Sequence, residues 1–236
     1  MSGKSTDEPS RAPSAGDIDT EQFRRERAKL VKSIQHREQL SPEVLQALLD
    51  VPRHAFVPEG QRHRAYDDNP LSIGHGQTIS QPTVVAMMTE ALDLAGDEVV
   101  LEVGTGSGYQ AAVLSRIVKR VESIEIVEPL AEHAREALER VGYDNVNVHV
   151  GDGYAGLPEQ APFDRIIITA APPEVPPKLV QQLAKGGKMV LPVGPRFGVQ
   201  DLIVLEKQAD GSLKRTNLGP VRFVPMVRGD DDGESE

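Results

Sequence analysis

Residues 99–112 read VVLEVGTGSGYQAA, a pattern that predicts a strand, a tight turn and a helix in succession. The apolar run at 99–103 is typical of a short buried strand. Glycines then occupy alternate positions, Gly104, Gly106 and Gly108, before helix-forming residues follow. Glycine tolerates a positive φ and leaves no Cβ between the backbone and a bound molecule. We therefore expect a ligand site at this turn, facing the free amides of the next helix.

The spacing of the glycines indicates the kind of ligand. A dinucleotide-binding turn has the pattern G-x-G-x-x-G, whereas this chain has E-x-G-x-G-x-G, with Glu102 two residues ahead of Gly104. The stretch resembles motif I of the class I S-adenosylmethionine (SAM) methyltransferases, in which the glycine turn holds the methionine part of the cofactor. Taken alone, a glycine turn leaves a phosphate or nucleotide loop of another kind as the alternative.

Two acids follow the next two predicted strands. Glu125 lies 21 residues beyond Gly104, where a carboxylate can accept both ribose hydroxyls of a nucleoside. Asp152, between Gly151 and Gly153, can accept from an adenine amino group. A solvated strand end and a plain Asx turn are the structural alternatives. Together with the glycine turn, the two acids favour SAM over a dinucleotide, because a nucleoside without a pyrophosphate needs the acids and only one glycine turn.

Composition limits the class of protein. The chain has 236 residues and a net charge of −10, of which −5 comes from residues 230–236, so nothing favours nucleic-acid binding. There is no cysteine, no apolar run long enough for a membrane span, and no apolar signal-peptide core in the first 20 residues. The six histidines show no ligand spacing, so no metal is expected. We expect a cytoplasmic monomer.

The chain predicts one α/β domain. Residues 1–20 and 229–236 are predicted to be disordered tails around a methyltransferase domain at 21–228, with an N-terminal helical and substrate-loop part at 21–95 and a SAM-binding sheet at 96–228. Alternating strands and helices after residue 96 predict a doubly wound, mostly parallel seven-stranded sheet, Rossmann-like as in class I methyltransferases. The predicted elements are helices at 21–39, 42–51, 80–96, 108–118, 129–141 and 176–184, strands at 99–103, 120–126, 146–150, 164–169 and 187–192, two further strands within 201–224, and a long connection at 53–79.

Several stretches outside the glycine turn carry a more specific resemblance. They are IGHGQTISQP (73–82), FDRIIITAAPPEVP (163–176), LPVG (191–194), VPRHAFVP (51–58) and VRFVPMV (221–227). From about residue 27 to 227 the chain resembles the protein-L-isoaspartate O-methyltransferases, enzymes that repair isoaspartyl residues. The resemblance implies that Ser80 is the active-site residue, that Gln77, Thr78 and Ile79 line the cofactor site with it, and that Glu125, Asp152 and Gly153 hold SAM.

The chemistry of that reaction fits the residues. A free α-carboxylate of an isoaspartyl residue is ionised at neutral pH, since its reference pKa is about 3.5 to 4, so no general base is needed. Ser80 opens a predicted helix and can offer a fixed donor to the carboxylate; the structural alternative is a simple helix N-cap. Residues 53–79 and the C-terminal VRFVP are candidate walls of the substrate groove. His75 and Arg222 are candidate contacts, with surface or packing roles as the alternative.

The predicted function is SAM-dependent methylation of L-isoaspartyl, and also D-aspartyl, residues in damaged proteins. The methyl ester then starts repair through a succinimide. A methyltransferase for small carboxylic acids, a SAM-binding or damaged-protein-binding module without catalysis, and an NAD-dependent dehydrogenase are the alternatives. The glycine spacing disfavours the dehydrogenase.

Overall fold

The computed structural model describes residues 19–229. Most of the two predicted tails lies outside this range. The first helix begins at residue 21 as predicted, and Thr20 caps it by accepting from the amide of Phe23. Asp19 pairs with Arg27, which is 7% exposed, at 2.9 Å between Oδ2 and Nη2. A charge-assisted contact to a buried guanidinium therefore fixes Asp19 against the first helix.

The N-terminal part is helical, with a β-hairpin ahead of its last helix. Its elements are α1 (Glu21–Gln35), α2 (Pro42–Asp50), two 3₁₀ helices (Arg53–Phe56 and Glu59–Arg64), β1 (Leu71–Gly74), β2 (Gln77–Ile79) and α3 (Pro82–Ala91). As predicted, Ser41 caps α2, its Oγ accepting from the amide of Val44 at 3.4 Å.

The prediction of an irregular connection at 53–79 was wrong in part, because β1 and β2 pair antiparallel within it. Both strands are short, and the turn between them needs three consecutive left-handed residues, Gly74, His75 and Gly76, with φ of 89°, 51° and 69°. The buried side chains of Leu71 and Ile79 fix the hairpin against the helices. Tertiary packing rather than a local alternating pattern stabilises it.

The rest of the chain forms a seven-stranded sheet with helices. In chain order the elements are β3 (Val99–Val103), α4 (Tyr109–Ser115), β4 (Arg120–Glu125), α5 (Glu128–Val141), β5 (Val146–Val150), a 3₁₀ turn (Pro158–Gln160), β6 (Phe163–Ile168), α6 (Pro177–Gln182), β7 (Leu183–Val193), β8 (Gln200–Lys207) and β9 (Leu213–Val221). The sheet order is β5-β4-β3-β6-β7-β8-β9, parallel from β5 to β7 and antiparallel across the last two pairs. This confirms the predicted fold class and fixes the order of the last two strands, which the sequence left open.

Successive side chains of the central strands point to opposite faces of the sheet, and both faces are buried. On β3, Val100 packs with Met88 and Leu114 of α3 and α4, whereas Leu101 packs on the opposite face with Leu179 of α6. Parallel sheets need such cover on both faces, which explains the apolar runs that predicted the strands. The carboxyl ends of the parallel strands are thereby left at one edge of the domain.

Element boundaries differ from the prediction at several helices. Helix α1 ends at Gln35, four residues early, α3 ends at Ala91 rather than at Gly96, and α4 spans only Tyr109–Ser115. Strand β7 begins at Leu183, within the predicted helix 176–184, because Leu183 already pairs with Phe163 of β6. Helix ends are set by such contacts as much as by local sequence.

Candidate active site

The glycine turn lies at the carboxyl end of β3. The amide of Gly104 donates to Ile124 O at 2.8 Å, and the hydroxyl of Thr169 donates to Gly104 O at 2.6 Å. Gly104 has φ +96°, and a Cβ there would lie 2.5 Å from Thr169 Oγ1. Only glycine therefore fits between β3 and the end of β6. Gly108 serves packing instead, since a Cβ there would lie 3.3 Å from Ala134 Cβ of α5.

Glu125 ties the turn to the end of β4. Its Oε2 accepts from the amide of Gly106 at 2.8 Å, and its Oε1 accepts from the amide of Val127 at 3.0 Å. Glu125 is 6% exposed and lies on the wall of the main cleft. Each carboxylate oxygen has a second lone pair, so Glu125 can still accept from two hydroxyl groups of a ligand.

Glu102 lies behind the turn and does not reach the cleft wall. Its side chain is fully buried and accepts a hydrogen bond from Ser123 Oγ, which lies 2.6 Å from Thr105 Oγ1 in the turn. Its Oε1 has no hydrogen-bond partner within residues 19–229. Burial, together with the nearby charge of Glu125, raises the pKa of Glu102 to about 8, against the lowering effects of the Ser123 hydroxyl and the amide of Ala111. Glu102 thus holds Thr105 of the glycine turn in place indirectly, through the hydroxyl of Ser123.

The hairpin brings the predicted active-site residues to the same cleft. The cleft encloses about 800 Å³ of space, part of it open to solvent. Eight of the eleven predicted site residues line it, namely Gln77, Thr78, Ile79, Ser80, Gly104, Gly106, Glu125 and Gly153; Glu102, Gly108 and Asp152 do not.

Asp152 forms the Asx turn that the sequence allowed as an alternative. Its Oδ1 accepts from the amide of Tyr154 at 2.8 Å. The neighbouring Gly153 fits closely, because a Cβ there would lie 2.5 Å from Val103 Cγ1 and 3.1 Å from Met226 Cε. The contact of Asp152 with an adenine stays a prediction.

The cleft also includes Met226 and Val227, which sequence reasoning missed, beside Val224 and Pro225 of the predicted groove segment. Residues 224–227 cross the end of β6, where Ala171 N donates to Val224 O at 2.8 Å and Met226 N donates to Ala171 O at 2.9 Å. No local pattern predicts this pairing between distant segments. Thr169 is different, since it directly follows β6 and the strand-end rule could have identified it.

A second cavity adjoins the first. It holds about 950 Å³ and shares four residues with the cleft, Thr78, Ser80, Thr169 and Val224. The predicted contact Arg222 lines it, whereas His75 sits exposed at the tip of the hairpin and lines neither cavity. Both predicted groove segments contribute, through Pro70 and Thr78 on one side and 220–224 on the other.

Helix α3 is not capped by Ser80, which corrects the structural alternative considered for that residue. Gln81 is the N-cap, without a side-chain cap, and Asp68 supplies the acceptors instead. Its Oδ1 accepts from Thr83 N at 3.0 Å and its Oδ2 from Thr83 Oγ1 at 2.6 Å. Arg37 and these bonds hold the pKa of Asp68 below its usual range despite partial burial. Because Asp68 already accepts from Thr83, the N-terminus of α3 has fewer free donors for a ligand anion than expected. The hydroxyl of Ser80 makes no hydrogen bond within residues 19–229.

Residues 19–229 provide no cluster of metal ligands and no membrane-spanning helix. No group of three or more histidine, aspartate or glutamate side chains is arranged to hold a metal ion. None of the helices in this range has the length and apolarity required to cross a bilayer.

The sheet, the glycine turn and the acid at the end of β4 define a class I SAM-dependent methyltransferase. Within this class, residues 24–231 match the family model described as protein-L-isoaspartate(D-aspartate) O-methyltransferase. The chain belongs to this family, as the sequence resemblance predicted, and is therefore a methyltransferase.

Curated relatives and solved structures agree. The protein-L-isoaspartate O-methyltransferase 2 of Syntrophobacter fumaroxidans is 50% identical over 213 residues, covering 86% of each chain. The protein-L-isoaspartate O-methyltransferase of Opitutus terrae is 56% identical over 184 residues, covering 78% of each chain. A solved protein-L-isoaspartate O-methyltransferase is 31% identical with a TM-score of 0.78, covering 86% of this chain and 66% of that one. A Plasmodium falciparum structure in complex with S-adenosyl-L-homocysteine is 24% identical with a TM-score of 0.74, covers 86% of this chain and 98% of that one, and supports the fold alone.

Proposed function

We propose that this protein transfers the methyl group of SAM to the free α-carboxylate of L-isoaspartyl residues, and also of D-aspartyl residues, in damaged proteins. SAM occupies the cleft at the glycine turn, and the isoaspartyl residue occupies the second cavity. The observation that carries this assignment is the shared wall of the two cavities at Thr78, Ser80, Thr169 and Val224. A methyl donor in the cleft and a carboxylate in the second cavity can meet only at that shared wall.

The cofactor residues fit a nucleoside better than a dinucleotide. The amide of Gly106, which a pyrophosphate would need, already donates to the carboxylate of Glu125. That negative charge would also repel a phosphate at the same place. Hydroxyl groups, by contrast, can donate to the remaining lone pairs of Glu125. Gly104 and Gly106 would hold the methionine part, with Gln77, Thr78, Ile79 and Gly153 around it and Asp152 toward the adenine.

The residues at the shared wall need to position the substrate rather than to activate it. When bound, SAM supplies a methyl group on a cationic sulfur, and its transfer to a carboxylate oxygen breaks the sulfur–carbon bond, forms the ester bond and cancels both charges. Glu125 is the only ionisable side chain on the described cleft wall besides Tyr109, and two amides hold it in place, so no residue there is free to act as a base. None is required, because the acceptor is ionised at neutral pH.

Ser80 and Thr169 have distinct parts in this positioning. Thr169 donates its proton to Gly104 O, which fixes its hydroxyl to the turn. Ser80 keeps its proton available, so its hydroxyl can donate to the substrate carboxylate. No imidazole or carboxylate forms a hydrogen bond with Ser80 within residues 19–229, so a role in positioning fits this residue better than covalent catalysis. Holding the reactants in line and excluding water can supply roughly 7 to 11 kcal/mol.

The ester product explains how repair begins. The backbone amide nitrogen that follows the esterified residue attacks the ester carbonyl and expels methanol, which gives a succinimide without help from the enzyme. Action as a cytoplasmic monomer without a metal, and without nucleic-acid or membrane partners, stays a prediction.

The test is transfer of labelled methyl from SAM to two synthetic peptides that differ only in carrying isoaspartyl or normal aspartyl at one position. The expected result is base-labile label on the isoaspartyl peptide alone. Label on small carboxylic acids, but not on the peptide, would favour the small-acid methyltransferase. SAM binding without label on any acceptor would favour a non-catalytic module.

A further inference from the structure

Arg222 is the one charged side chain on the described walls of the second cavity. It follows the last residue of β9 and is exposed at the rim. The remaining wall residues are apolar or neutral, and none of them is an acid. The cavity that we assign to the substrate therefore carries a single positive charge.

This charge has no partner within residues 19–229. Arg222 makes no ion pair or side-chain hydrogen bond within residues 19–229, whereas Arg37 and Arg165, for example, each contact an acid. Exposed arginines without an acid partner in this range occur elsewhere too, Arg215 among them, so what distinguishes Arg222 is its place on the wall of the second cavity. Apolar neighbours on the same wall, Val199 and Phe223, displace water and strengthen an interaction with a bound anion.

The position of Arg222 separates it from the transfer step. It lines the second cavity only, while methyl transfer takes place at the wall shared through Ser80 and Thr169. An arginine clamped on the reacting carboxylate would also draw negative charge away from the oxygen that attacks the methyl group. A second carboxylate, displaced along the peptide, suits this cation better.

We propose that Arg222 is a specificity-determining residue that binds an acidic side chain adjacent to the isoaspartyl residue of the substrate. The inference rests on the proposed function, because it needs the peptide to lie in the second cavity. It adds a sequence preference: isoaspartyl sites next to glutamate or aspartate are methylated faster than those next to neutral or basic residues.

The experiment compares kcat/KM for isoaspartyl peptides whose preceding or following neighbour is Glu, Gln or Lys. On one side of the isoaspartyl residue, we expect the natural enzyme to favour Glu over Gln by about three- to five-fold, the range of an exposed ion pair, and to disfavour Lys. Arg222→Gln should bring the three peptides within about two-fold of one another, and Arg222→Glu should reverse the order. High salt should weaken the preference of the natural enzyme.

Arg215→Gln is the matched control, because Arg215 is exposed on β9 and lines neither cavity. It removes the same charge and should keep both the activity and the preference. An equal loss of preference in Arg215→Gln would assign the effect to overall charge and overturn the proposal. No preference in the natural enzyme, or no reversal in Arg222→Glu, would overturn it as well. Absence of label on every isoaspartyl peptide would instead mean that the proposed function has failed.

Discussion

The carboxylate of Glu125 accepts a hydrogen bond from the amide of Gly106, with 2.8 Å between Oε2 and N. This bond joins the end of β4 to the glycine turn after β3, two segments that pair in parallel but are separated in the chain by helix α4. One residue thus shapes the turn and presents acceptors to the cleft.

Replacement of Glu125 by alanine should weaken cofactor binding strongly. It removes the acceptors for ligand hydroxyls and releases the amides of Gly106 and Val127. Since a hydrogen bond to a charged group contributes about 1.5 to 3 kcal/mol, the affinity for S-adenosylhomocysteine should fall by about ten- to hundred-fold in calorimetry. Glu125→Gln keeps one side-chain acceptor, so its affinity for S-adenosylhomocysteine should lie between those of the natural protein and Glu125→Ala. Glu128→Ala, an exposed acid in the first turn of α5, is the control and should bind normally. Unchanged binding by Glu125→Ala would remove Glu125 from the cofactor site.

Replacement of Ser80 by alanine should separate turnover from cofactor binding. Ser80 lies at the wall between the two cavities and is not the cap of α3, so its loss should not unfold the helix. We expect kcat/KM for an isoaspartyl peptide to fall by about ten- to hundred-fold, while S-adenosylhomocysteine affinity stays within about two-fold. Ser72→Ala, on the exposed face of β1, should have little effect on either. Parallel losses of cofactor affinity and turnover in Ser80→Ala would show that Ser80 is structural.

The parts of the site that the sequence predicted are those encoded locally. The glycine turn and Glu125 follow strands whose apolar runs are easy to recognise, and parallel pairing brings strand ends together. Asp68 could not be found in this way, because it caps α3 from 15 residues away through Thr83. Residues 224–227 reach the cleft only through their pairing with Ala171. Contacts between segments that are distant in the chain produce no periodic pattern in the sequence of either segment, so the sequence does not predict them.

Replacement of Gly104 by alanine should lower the affinity for the cofactor as well as the free energy of unfolding. Gly104 has φ +96°, and the added Cβ would lie 2.5 Å from Thr169 Oγ1. Gly142→Ala is the matched control, since Gly142 has φ +89° but no heavy atom within 4 Å of the added Cβ. Backbone strain should cost each variant about 1 to 2 kcal/mol in urea unfolding. Only Gly104→Ala should also lose most of its affinity for S-adenosylhomocysteine. Equal affinities in the two variants would show that the turn accommodates a side chain.

Glu102 should make the stability of the protein fall as pH rises. Burial raises its pKa to about 8 from the ordinary 4.5, so between these values the folded state holds a proton that the unfolded state has lost. Unfolding then releases a proton, and the free energy of unfolding decreases by up to about 1.4 kcal/mol per pH unit from this group. Below about pH 4.5 both states are protonated and the contribution is constant, and above about pH 8 it levels off again.

Glu102→Gln tests this prediction, because the amide can still accept from Ser123 but does not titrate. The difference in unfolding free energy between the variant and the natural protein, measured in urea from about pH 5 to about pH 8, should grow in favour of the variant as pH rises. Glu128→Gln, which removes an exposed carboxylate on α5, should show no such growth. If the Glu102→Gln difference is flat over this range, Glu102 is already ionised in the folded protein. Its Oε1 must then have an ordered water or another donor as a partner, since a buried carboxylate without one would be too costly to keep.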